Sequence, residues 1–208
     1  MSRVDVRRQS CIRLVCGATG AGKSEYVKRA VRRLDRVLVW DMEDEYAAEN
    51  MARVTRLRDL IDEVRGSPAA RVAYVAPAAR FGDWARVALA WGECTAVAEE
   101  LASVTHPGKA PEGWGDLIRR GRKRAIRLIG VTQRPAEADK TIVGNASVIR
   151  CGMLWRVRDA AYMADEMGVP VAEIAALRPL QWIEVDRATR KITRGKLQFP
   201  VTGSRKKT

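Results

Sequence analysis

Residues 11–34 read CIRLVCGATGAGKSEYVKRAVRRL, and three kinds of chemistry follow one another within that one run. The first six residues are mostly apolar and stop at a glycine, as a buried strand does. From residue 22 onward, Tyr26, Val27, Ala30, Val31 and Leu34 recur at helical spacing. Between strand and helix, residues 17–24, GATGAGKS, satisfy G-x-x-x-x-G-K-[ST] in full. Such a loop turns its backbone N–H groups inward around a phosphate, which side chains would obstruct and which needs dihedrals that glycine reaches cheaply. Gly17, Ala18, Thr19, Gly20, Ala21 and Gly22 are therefore the expected cradle. Lys23 would neutralise the β- and γ-phosphates and Ser24 would set its hydroxyl on Mg²⁺, with the helix N-terminus adding partial positive charge. The expected cofactors are ATP and Mg²⁺. A glycine turn with an incidental lysine would leave the full pattern and its strand-to-helix setting unexplained.

Outward from this loop, apolar strands and amphipathic helices alternate. RVLVWD (36–41), RVAYVA (71–76), CTAVAEE (94–100), IRLIGVTQ (126–133) and SVIRCGMLW (147–155) read as strands. TRLRDLIDEVRG, DWARVALAWG, the basic WGDLIRRGRKR, a helix around 158–167 and a short one near 171–177 separate or follow them. That order predicts an α/β fold, a mostly parallel sheet with helices on both faces. LQWIEVDRATRKITRGKLQF alternates as a C-terminal β-hairpin would. With no repeat and no linker, residues 1–200 are expected to form a single domain and the basic residues 201–208 a disordered tail.

A phosphate loop leaves the reaction open. In TAVAEEL a small apolar strand ends at Glu99 and Glu100, where acids emerge beside the phosphates: Glu99 as the metal-side carboxylate, Glu100 as the base for the attacking water. Many ATPases carry Asp at the first of these positions, and two solvated acids at a helix start is the bland alternative. Gln133, at the tip of a neighbouring strand, could contact the γ-phosphate or the attacking water.

GRKRAIRLIGVTQRP (121–135) resembles the region of the FtsK/HerA superfamily of DNA-pumping ATPases where a Gly-Arg helix end leads into an apolar strand and a terminal TQRP. VLVWDMEDEY (37–46) resembles that superfamily's second strand, ending in Asp with a Glu-Tyr following, here Asp41, Glu45 and Tyr46. With the phosphate loop and AVAEEL, the likeness covers about residues 11–155 in order. It implies a RecA/ASCE-like P-loop NTPase fold, a nucleotide-side role for Glu45, and a homo-oligomer, usually a hexameric ring, threading double-stranded DNA without sequence preference. It also implies an arginine finger in trans: Arg122 matches, with Arg119 and Arg120 as fallbacks. The compact chain is most similar to the minimal genome-packaging ATPases of internal-membrane, double-jelly-roll viruses. That resemblance implies packaging into a procapsid, a capsid or portal-vertex partner, and a place in the host cytoplasm docked on a capsid vertex. The alternatives are another FtsK/HerA-type translocase, a Zot-like phage assembly ATPase, a small P-loop kinase, and a basic DNA- or capsid-binding protein that uses nucleotide structurally.

Composition agrees with a polyanionic partner: the net charge is +13 over 208 residues, although an inert basic surface would give the same number. No apolar run reaches the roughly 18 residues that span a bilayer, and no signal peptide is evident, so a cytoplasmic protein is expected. Cys11, Cys16, Cys94 and Cys151 lack metal or disulfide spacing, and His106 is the sole histidine. The Pro- and Gly-rich loop THPGKAPEGWGD (105–116) would offer Lys109 and Trp114 to a DNA channel, or else close over the nucleotide. Arg119, Arg120, Arg122, Lys123, Arg124 and Arg127 could line an interface or track phosphates.

Overall fold

The computed structural model describes residues 11–199. The proposed tail at 201–208 lies outside them.

Strand β1 (Ile12–Cys16) runs through the loop into α1 (Lys23–Val31), then β2 (Val37–Trp40), β3 (Ala52–Val54), α2 (Leu57–Gly66), β4 (Arg71–Tyr74) and α3 (Phe81–Trp91). Next come β5 (Thr95–Ala98), α4 (Trp114–Arg120), β6 (Arg127–Thr132), α5 (Lys140–Asn145) and β7 (Val148–Gly152). The chain closes with α6 (Val157–Met167), α7 (Val171–Ala175), β8 (Gln181–Asp186) and β9 (Lys191–Lys196). Among the described residues nine strands form one sheet, ordered β3-β4-β2-β5-β6-β1-β7-β8-β9. All pairs from β3 to β7 are parallel, and β8 and β9 add antiparallel at the edge. β1 and β7 are neighbours, and β1 leads on to β2 on one side of the sheet whereas β7 leads to β8 on the other, so a crevice opens between their carboxyl ends.

The central strands read as unbroken apolar runs because both faces are covered. Every residue of β2 and β5 is buried. Leu14, Cys16, Leu38, Trp40, Ala96, Ala98 and Leu128 face the larger core beneath α2 to α6, whereas Val15, Val37, Val39, Val97, Ile129 and Val131 meet Val27 and Val31 of α1. Helices thus lie on both faces, but unequally.

Several local expectations shift. The strand β3 and the helix α5 are elements that the alternation of apolar strands and amphipathic helices does not include; three residues and six are too short for periodicity to reveal. The basic helix expected over 114–124 is α-helical only to Arg120, then tightens into a 3₁₀ turn, Gly121–Arg124. The strand expected to reach Glu100 ends at Ala98. Trp114 does not face a channel: it is wholly buried, within 5.1 Å of Phe81 and 6.3 Å of Trp84 by ring centroid, and its Nε1 donates to Asp139 at 2.9 Å. A large aromatic surface is more stable in that cluster than in water. Lys109 and His106 are exposed.

Candidate nucleotide site at the carboxyl edge of the sheet

The phosphate loop is pinned before any ligand arrives. Gly17 N–H donates to Thr132 O (3.2 Å) and Ala18 N–H to Met153 O (2.7 Å), so the loop hangs between the ends of β6 and β7. Gly17 has no room for a side chain, since a Cβ there would lie 2.9 Å from the Ala21 Cβ and 3.3 Å from the Gly152 Cα. Gly22 caps α1 at φ 87°, ψ 18°, a left-handed conformation that costs a non-glycine residue. A Cβ at Gly22 would also meet a Leu197 methyl at 2.9 Å.

Lys23 lies over the loop, donating to Ala18 O at 3.2 Å. Burial lowers its pKa, and the nearby Glu100 and Glu99 carboxylates pull the other way. Those two acids are therefore gathered with the lysine, as the sequence predicted. Glu100 sits just beyond β5 at φ 45°, ψ 61°. For a non-glycine residue this is sparsely populated backbone, and its carboxylate accepts Gln133 N–H at 3.3 Å. Gln133 in turn accepts from the Thr19 hydroxyl at 2.8 Å. Loop, base candidate and strand tip thus form one connected set.

Glu99 is held differently. The Tyr46 hydroxyl donates to Glu99 Oε1 at 2.5 Å, and Tyr46 is itself fully buried. Burial pushes the Glu99 carboxyl up to about 7, with Glu45 and Asp41 adding to the rise and Tyr46 and Lys23 opposing it. The second oxygen, Oε2, makes no hydrogen bond among the described residues, nor does the Ser24 hydroxyl. An unspent carboxylate oxygen whose charge Lys23 feels, and an unspent hydroxyl on the next residue of the helix start, are donors of the kind that suits Mg²⁺, which takes one or two protein oxygens and completes its shell with phosphate and water.

Asp41 is a scaffold instead: buried, it accepts Glu45 N–H (2.9 Å) and Tyr46 N–H (3.0 Å), folding the turn that aims Tyr46. Glu45 lies at the same rim, exposed, its carbonyl accepting from Lys28 (2.7 Å) and its charge felt by Lys23. Its side chain makes no hydrogen bond among the described residues.

The six-residue basic cluster divides. Arg119 pairs with Asp116, and Arg124 donates to Ala90 O and Leu89 O at the end of α3. Arg127 also has a partner. Arg120, Arg122 and Lys123 are exposed with no partner among the described residues. Arg122 stands at the amino-terminal edge of the sheet, sharing a groove with Ile12 and Val148, the first residues of β1 and β7. Five to six strand residues, about 16–20 Å, separate it from its own phosphate loop.

Sequence reasoning missed the support under the loop. Glu184 of β8 lies between Arg13 (2.7 Å) and Arg150 (3.2 Å); Arg13 donates to the Tyr26 hydroxyl, and the Arg150 guanidinium is stacked between the rings of Tyr26 (4.1 Å) and Trp182 (3.6 Å). The hairpin is thereby tied to α1. Arginines in a strand of otherwise apolar pattern were the only available signal.

No protein-family model matches the chain. Protein P9 of Pseudoalteromonas phage PM2 is 34% identical over 184 residues, covering 85% of this chain and 84% of that protein. Among solved structures, the genome-packaging NTPase B204 of Sulfolobus turreted icosahedral virus 2, in complex with AMPPCP, superposes with a TM-score of 0.75 at 15% identity, over 91% of this chain and 98% of that one. The N-terminal domain of zonular occludens toxin from Neisseria meningitidis gives a TM-score of 0.52 at 12% identity, over 91% and 95%. The cytoplasmic domain of the Thermomonospora curvata type VII secretion ATPase EccC gives 0.57 at 15%, over 94% of this chain but 27% of that one. Among the described residues no helix is long and apolar enough to cross a membrane. The chain belongs to the family of phage PM2 Protein P9, and its fold is a P-loop NTPase fold.

Proposed function

We propose that this chain is an ATP-hydrolysing motor that pumps double-stranded DNA into a viral procapsid. The observation that carries the reading is the connected set Lys23, Glu100, Gln133 and Thr19 at the mouth of a complete phosphate loop. That arrangement supports more than nucleotide storage, because a carboxylate and an amide linked at the mouth of the loop are groups able to deprotonate and orient an attacking water.

In this reading the loop N–H groups and Lys23 hold the triphosphate, and Glu100 takes the proton of the attacking water while Gln133 orients it. Ser24 and the free oxygen of Glu99 would hold Mg²⁺, which when bound neutralises phosphate charge. Glu45, at the rim, borders the nucleotide. Arg122 cannot reach its own phosphates from the opposite edge of the sheet, so it serves a neighbouring copy, in a ring that the family resemblance makes hexameric. The relatives support the DNA assignment: a viral packaging NTPase is among the structures of similar fold, and the chain carries a net charge of +13. The contacts with duplex would be to phosphates, without sequence preference and sensitive to salt. Residues 1–200 act as the single motor domain, working in the host cytoplasm at a capsid vertex.

The test is the ATPase rate of the full chain with and without duplex DNA, measured beside its native mass. Stimulation by duplex and a ring-sized species are expected. A monomer that phosphorylates a small metabolite would replace this reading with the kinase alternative, and nucleotide binding without turnover would replace it with a structural role.

A further inference from the structure

Trp155 and Val157 are the two most exposed large apolar side chains among the described residues, at 74% and 82%. Trp155 lies on the turn between β7 and α6 and Val157 opens α6, two and four residues after Met153, whose carbonyl holds the phosphate loop. Scattered exposed apolar residues need no explanation, but an exposed tryptophan and valine together at the rim of a site mark a contact surface. Arg156 between them is already countered by Glu137, which also holds Arg134. Arg158 has no partner among the described residues.

Duplex DNA fits this patch poorly, since phosphates gain nothing from Trp155 or Val157 and one of the two flanking charges is spent. A protein groove fits it better, and the chain has one. At the opposite edge of the sheet a groove of about 500 Å³ is walled by Ile12, Ile118, Ile126 and Val148, with Asp186 and Arg122 also lining it. Asp186 bonds only the backbone N–H groups of Ala188 and Thr189, leaving its charge available to a cation such as Arg158.

We propose that Trp155 and Val157 of one protomer seat in this groove of a second copy, head to tail, bringing the second copy's Arg122 to the first protomer's phosphate loop. The inference rests on the ATPase reading above and names the surfaces that assemble its shared site. A contact between two different faces closes into a ring when its rotation closes.

Cys11 lines the same groove and is a partly buried free thiol, the other cysteines being buried. In Val157→Cys full chain, a short bis-maleimide should therefore bridge residue 157 to Cys11 of the next copy, giving a ladder of covalent species beyond the dimer. Adding Cys11→Ser should abolish the ladder. Separately, Trp155→Asp with Val157→Asp should lower the native mass to monomer while a fluorescent ATP analogue binds as tightly as before.

The proposal is overturned by a ladder that survives Cys11→Ser, by linkage that stops at dimer, by no linkage at all, or by an unchanged native mass in the double-Asp chain. Lost analogue affinity in that monomer would make the patch a nucleoside contact, and intact assembly with lost duplex binding would make it a DNA face; either also overturns it. Turnover of the wild-type chain separates the two readings. Hydrolysis without a ladder sinks this contact alone, whereas a ladder without hydrolysis sinks the ATPase reading alone.

Discussion

Asp139 and Glu99 are both carboxylates that burial desolvates, and they differ in what their oxygens are doing. Asp139, at the start of α5, is wholly buried and saturated: it accepts Trp114 Nε1–H at 2.9 Å and Ile142 N–H at 3.0 Å. Burial raises its pKa and those bonds oppose the rise. Glu99 suffers the same desolvation yet spends one oxygen on Tyr46 and keeps the other. A saturated buried acid caps a helix and fixes a tryptophan; an unsaturated one keeps an oxygen with which a cation could be held. Unspent acceptor capacity, rather than burial, distinguishes the functional acid from the structural one.

The sharpest way to break this contrast lies beside Glu99. Glu100→Gln is expected to lower ATP turnover by about 10²–10⁴-fold, the range for removing a general base, with analogue affinity retained. Steady-state hydrolysis beside equilibrium binding checks it, and unchanged turnover would remove Glu100 from the role of base. Asp139→Ala should do the reverse, costing stability by about 1–3 kcal/mol through the orphaned indole N–H and the lost helix cap, with little change in turnover per folded molecule. Denaturant melts read that difference. Gly22→Ala should cost about 1–3 kcal/mol from left-handed strain, and more if Leu197 cannot move. Here nucleotide affinity and stability should fall together.

Tyr46→Phe probes the bond that sets Glu99. The Mg²⁺ concentration for half-maximal turnover should rise about tenfold, with direct Mn²⁺ binding weakened in parallel and nucleotide affinity in the absence of metal unchanged. An unmoved metal requirement would make Tyr46 a core residue only.

Protonation tests the same contrast along the pH axis. The Glu99 carboxyl, raised to about 7 from a reference of 4.5, binds its proton more tightly folded than unfolded. Its contribution to the stability of the ligand-free chain is therefore fully present below about pH 4.5 and is lost as pH rises through about 7. Thermal melts of wild type and Glu99→Gln should diverge across that window, wild type falling relative to the variant as pH rises. Parallel curves would mean that Glu99 is solvated.

Residues 17–24 were legible because a phosphate cradle has one economical solution in glycine and lysine at fixed spacing. The strand and helix around them were legible because burial on two faces writes apolar runs, and α1 shows one stripe. AEEL and TQRP could be placed at strand ends from pattern alone, and the structure brings Glu100 and Gln133 together as expected. Trp114 misled because a Pro- and Gly-rich setting looks like a surface loop, and only packing reveals that the ring closes an aromatic cluster. The Tyr46 to Glu99 bond spans 53 residues. The Arg13–Glu184 pair spans 171. No local period encodes such distances.

The sequence by itself therefore determined the phosphate loop, the α/β alternation and the identity of the acids, since each is a local demand of backbone geometry or charge. The tertiary structure alone decided which acid is saturated, that Arg122 lies at the far edge from its own loop, and that Trp155 and Val157 stand unburied beside it. Those are properties of how strands far apart in sequence are ordered in the sheet, and strand order is set by long-range packing.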